Sequence, residues 1–206
     1  MVFGTGTDRR AKEITEGRTF SHCVWLSPSR LCRYVAAGSF VASPNKSMRK
    51  INTKNIAEDS WSSPKGKFAG AGKQVSEALG PKPLSMDLNE RHPFDVEICR
   101  IPPGKTPYPY HSHSAQWEFY HVISGKGTVR HKDGATEIEA GDAFIFKPGE
   151  PHQITNDGSD DLIVYVVADN PIGESCYYPD SKKWIVRSPE RRLIRSEALD
   201  YFDGEE

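Results

Sequence analysis

Between residues 94 and 168, apolar and polar positions alternate in short runs, and each run ends in residues that favour turns. Alternation at a period of two puts one apolar face on a pleated ribbon, so the runs predict strands at 94–101, 116–123, 127–131, 136–139, 143–147, 152–155 and 162–167. Pro102-Pro103-Gly104 ends the first strand, because proline has no N–H to give to a ladder. Ser124-Gly125-Lys126, Lys132-Asp133-Gly134 and Ala140-Gly141-Asp142 join the later ones. Short strands at this even spacing predict an all-β antiparallel sandwich or barrel.

The flanks read differently. Residues 1–47 sustain neither helical nor alternating periodicity and are rich in Ser, Gly and Arg. They are expected to be a poorly ordered N-terminal extension, either a leader or residues upstream of a true start at Met48. Residues 48–93 form a polar arm, with Gly-rich patches around a short helix predicted at 73–79, that packs on the 94–170 barrel. Residues 171–206 are a C-terminal tail with one apolar strand at 184–186, then an Arg-rich and finally acidic end.

Charge changes the picture at the N-terminus. The 206-residue chain carries 27 Lys+Arg against 28 Asp+Glu, yet residues 1–47 hold seven basic and three acidic side chains, so +4 faces −5 downstream. A net charge of −1 gives no field to steer a polyanion, which argues against nucleic acid as a partner. No run approaches the roughly 18 apolar residues of a spanning helix, so no membrane crossing is expected. The four cysteines lack any C-x-x-C pair, and free thiols in a cytoplasmic protein are the expectation.

Candidate chemistry lies in His111-Ser112-His113, Glu118 and His152. Positions i and i+2 of a strand share a face, so His111 and His113 can serve one metal ion. Glu118, at an odd interval from His113, needs a turn or bulge between Ser114 and Trp117 to reach the same point. Parity puts Tyr120 on the face of Glu118 and turns His121 away, while Trp117 and Phe119 form an apolar stripe on the opposite face. Tyr120 is the leading candidate to touch a substrate, and Gln116 and Gln153 could hydrogen-bond a ligand imidazole.

Gly104, His111, His113, Glu118 and Gly125 together resemble the first cupin motif, with six rather than five residues between Gly104 and His111. Gly141, Pro148, Gly149, His152 and Asn156 resemble the second, except that Pro148 directly precedes Gly149. Over residues 94–168 the chain is similar to small single-domain bacterial cupins of the RmlC-like jelly-roll type. The resemblance implies a double-stranded β-helix holding one divalent transition metal on His111, His113, Glu118 and His152. Three imidazoles and a carboxylate suit Fe, Mn, Ni, Cu or Zn. The expected function is a metal-dependent enzyme on a small organic substrate, oxygenase-type first, with decarboxylase, isomerase or lyase chemistry open; the alternative is a cupin that binds or senses a small ligand. The apolar stripe and the resemblance both point to a homodimer. No catalytic residue is assigned from sequence.

Overall fold

The computed structural model describes residues 48–206 except 81, 83, 84, 86, 88, 188–190, 196 and 206. The predicted extension at 1–47 lies outside the described residues. Thirteen strands follow in chain order: β1 (Asp59–Ser62), β2 (Ala69–Gln74), β3 (Phe94–Ile101), β4 (Ser112–His113), β5 (Glu118–Ser124), β6 (Lys126–His131), β7 (Gly134–Glu139), β8 (Ala143–Phe146), β9 (His152–Thr155), β10 (Leu162–Asp169), β11 (Ser175–Tyr178), β12 (Lys183–Val186) and β13 (Arg192–Ile194). One helical turn, α1 (Val75–Ala78), follows β2.

The strands form an antiparallel jelly roll. One sheet runs β1-β2-β3-β10-β5-β8, and facing it are β13-β12-β11-β4 and β7-β6-β9. The last two are joined by an antiparallel bridge between His111 and His152. Strand β10 lies between β3 and β5 and alternates strictly, burying Leu162, Val164, Val166 and Ala168. These pack with Ile101, Val122, Val129, Ile138 and Ile154, each fully buried aliphatic side chain contributing about 1.5–3 kcal/mol.

The β5–β6 connection needs Gly125. Its φ is +84°, and a Cβ there would lie 2.6 Å from the Asp161 carbonyl oxygen. Strands β3 and β9 begin and end where the alternation predicts. The region predicted as a helix at 73–79 is instead strand to Gln74 and then a single turn. The Ala-Gly-Ala-Gly start of β2 carries no apolar alternation, and pairing with β1 on one side and β3 on the other makes it a strand.

Beyond Pro171, strands β11 and β12 pair with each other and β11 pairs with β4, so part of the segment read as a tail is built into the sheet that carries the histidines. Cys23 and Cys32 lie outside the described residues. Cys99 is a buried free thiol. Cys176 is disulfide-bonded, so the free-thiol reading fails there. Among the described residues no helix is long and apolar enough to cross a membrane.

Candidate metal centre

His111 directly precedes β4 and His113 ends it, Glu118 opens β5 and His152 opens β9; all four are buried. The bridge fixes two of them opposite each other, since His111 N–H donates to His152 O (3.1 Å) and His152 N–H to His111 O (2.8 Å). Their ring centroids stand 4.7 Å apart. Phe146 stacks on the His152 ring at 4.0 Å and 3°, which holds its plane.

The bend that brings Glu118 round is made by a residue that sequence reasoning missed. Glu174, 1% exposed, accepts the backbone N–H groups of Ser114 (3.0 Å), Ala115 (2.9 Å) and Gln116 (2.9 Å). Asp169 Oδ1 accepts the next, from Trp117, at 2.6 Å. Four successive amides aimed at two carboxylates turn the chain and reset its parity, so Glu118 faces inward. No periodic signal marks Glu174; it follows Gly173 in a stretch without alternation.

Each imidazole is tied at Nδ1 to an oxygen that can only accept. His111 Nδ1 lies 2.8 Å from Pro109 O, His152 Nδ1 3.1 Å from Glu150 O and His113 Nδ1 3.2 Å from Glu174 Oε1. With Nδ1 donating, Nε2 is left to point inward, the arrangement that orients metal-ligating histidines. His152 Nε2 reaches Glu118 Oε2 at 2.8 Å. His113 Nε2 stands 3.3 Å from Glu118 Oε1 without completing a hydrogen bond.

Donor atoms of His111, Glu118 and His152 lie within 4.8 Å of one another. His113 and His111 make a second such group with the Cys176 sulfur, which in its disulfide is no thiolate. The donor set fits a cation. His113 Nε2 is buried without a hydrogen-bond partner 3.3 Å from Glu118 Oε1, and a positive ion beside that carboxylate would give the nitrogen a partner.

The electrostatics agree. Burial holds His111 down, with His152 and His113 adding to it, at about 3, so that ring is neutral. Burial also works against charging His113, but Glu118 and Glu174 outweigh it and hold the ring up at about 9. Burial would raise Glu118, yet His113 and His152 keep it well below the usual carboxylate range. His113 thus stands between two carboxylates, Glu118 at 3.3 Å and Glu174 at 3.2 Å.

Tyr120 donates its hydroxyl to Glu118 Oε2 at 2.8 Å and stands 3.2 Å from His152 Nε2. The two glutamines do not reach an imidazole. Gln116 gives its amide to the Asp169 carbonyl, and Gln153 donates to Tyr108 O at 2.9 Å, both bonds that fasten loops to the barrel. Asn156 is wholly buried and closes the β9–β10 connection, accepting from Gly158 N–H and donating to Ile101 O and Asp160 O.

The Cupin_2 family model, a cupin domain, matches residues 97–168. An oxalate-binding protein of Thermotoga maritima is 33% identical over 63 residues, 31% of this chain; the match spans about half, 51%, of that protein's length. A sugar phosphate isomerase of the cupin superfamily from Silicibacter pomeroyi superposes with a TM-score of 0.60 at 20% identity, covering 74% of this chain and 97% of the other. A candidate sugar phosphate isomerase from Acidithiobacillus ferrooxidans gives 0.61 at 24% identity, with 71% and 92% covered. At these identities the two structures share the fold. A jelly roll with histidines and a carboxylate converging inside it, and a family match across strands β3 to β10, identify residues 97–168 as a cupin domain.

Proposed function

We propose that the protein is a metal-dependent enzyme acting on a small organic molecule, with His111, His113, Glu118 and His152 holding one divalent transition ion. The observation that carries this reading is the tying of all three Nδ1 atoms to outer acceptors, which turns three Nε2 atoms toward Glu118 in a buried site. Iron, manganese, nickel, copper or zinc bound there would act as a Lewis acid toward a carboxylate, carbonyl or enolate oxygen. Oxygenase-type oxidation is the first reaction class to test, followed by decarboxylation, isomerisation and elimination. Tyr120 keeps Glu118 in place and is the hydroxyl best set to hydrogen-bond a substrate beside it.

A second reading, capture of a small ligand without turnover, is favoured by the oxalate-binding relative. Two copies of the chain pair through the outer face of β5 and β8 in either case. The test is elemental analysis of untagged protein with His111→Ala and His152→Ala variants, followed by a substrate panel including oxalate under air and under nitrogen. One metal per chain, lost in both variants, with product formed, supports the enzyme. Saturable oxalate binding without product supports the second reading, and no metal after reconstitution of folded protein overturns the metal site.

A further inference from the structure

Beside His111 lies a cavity of about 210 Å³ that none of the four expected ligands lines. It is bounded by the β1–β2 hairpin, the loop before β4 and the C-terminal strands and opens to solvent. Trp61 and Tyr108 stack at 5.4 Å and 11° to form one wall, and Tyr178 stands on another. Both tyrosines also flank His111, with ring centroids at 6.5 and 6.1 Å.

The wall is built rather than incidental. The Trp61 indole N–H donates to Pro107 O at 3.2 Å, which fixes its plane. Gly70 makes room for it, since a Cβ there would lie 2.6 Å from the ring. The lining is apolar apart from Ser63 and one charged group, Lys183, whose Nζ sits 5.0 Å from the Tyr178 ring centre. Lys67 stands 5.3 Å from the ring centre of Phe68, another lining residue. Among the described residues neither ammonium has a carboxylate within ion-pair distance; Asp180, which feels Lys67, is engaged by Arg130 at 2.7 and 2.9 Å.

We infer that this cavity binds a small carboxylic acid with one aromatic ring, the ring against Trp61, Tyr108 and Tyr178 and the carboxylate toward Lys183. Size sets the body: an apolar cavity of about 150 Å³ accepts benzene, so this one has room for a ring with a short substituent. Charge sets the head, because the one charged lining group is the Lys183 ammonium over the Tyr178 ring, which favours an anion and opposes an amine.

The test is calorimetric titration of metal-stripped full-length protein with benzoate, benzyl alcohol and acetate, so that failure of the metal reading leaves the result intact. Benzoate is expected to saturate at one per chain, with acetate and benzyl alcohol each about tenfold weaker or more, as loss of a buried ring or of a paired charge implies. Lys183→Met should weaken benzoate to the level of benzyl alcohol and leave benzyl alcohol unchanged. Leu193→Trp, on the half-exposed last strand, should fill the cavity and abolish binding; if it does not fold, Lys183→Met decides. Benzoate binding no better than acetate, or binding that survives Lys183→Met, or that appears only in metal-loaded protein, overturns the inference.

Discussion

His111 and His152 exchange both backbone hydrogen bonds, and this one pair joins the sheet carrying β4 to the sheet carrying β9. Because the link is made by main chain, removing either imidazole leaves it intact. His111→Ala and His152→Ala are expected to fold with melting temperatures within a few degrees of the metal-free parent, while metal content falls from one per chain to near zero. Metal analysis beside thermal unfolding checks this, and collapse of the fold in either variant would refute it.

Glu174 holds three amides and the His113 ring with one buried carboxylate, so its loss orphans several donors at once. Glu174→Ala should cost about 3–5 kcal/mol of stability, the range for breaking a buried charged network. Glu174→Gln keeps the shape and should cost less, but should still weaken metal binding by about 10–100-fold, as changes to the partners of metal ligands do. Chemical denaturation and competitive metal titration separate the two effects.

The histidine shifts give a pH signature with a definite sign. His113 is raised from 6.5 to about 9 in the folded chain, so its contribution to metal-free stability is complete below 6.5 and is lost as pH rises through 9. His111 is lowered to about 3, so the unfolded chain takes up a proton that the folded chain refuses between 6.5 and 3, and stability falls with falling pH there. The metal-free protein should therefore be most stable near pH 6.5. A metal must displace the His113 proton, so affinity should rise about tenfold per pH unit up to about 9 and then level. Melting curves and metal titrations from pH 5 to 10 test both statements.

Phe119 and Ile145 pair across β5 and β8 on the outer face, 38% and 50% exposed, with Trp117 beside them at 41%. If this face joins two copies, Phe119→Glu should give a monomer by sedimentation while metal content is unchanged. A monomeric parent protein would refute the pairing.

Glu97 is a buried acid whose two oxygens complete no hydrogen bond. Burial first, and then Glu77 and Asp59, push it well above the usual carboxylate range, and the Gln74 amide that offsets this falls short of a hydrogen bond. Gly72 leaves the space its carboxyl occupies. Because its folded value is raised, stability should be lost as pH rises through that value, and Glu97→Gln should stabilise the protein by about 1–3 kcal/mol, most at alkaline pH. Unfolding at pH 7 and 9 measures the difference.

The sequence by itself determined the barrel strands, because alternation and turn residues are local: β3 and β9 run where the pattern puts them, and Tyr120 and His121 fall on opposite faces as parity requires. Parity also demanded a break between Ser114 and Trp117 without naming what makes it. Only the tertiary structure supplied Glu174, which is distant in the chain and carries no periodic mark. The same holds for β2, whose small residues become a strand between β1 and β3, and for β11, which pairs with the strand carrying His113. Gln116 and Gln153 found backbone carbonyls instead of imidazoles because an amide's partner depends on which chain passes nearby. Local pattern sets the face a side chain occupies; long-range packing decides what it meets there.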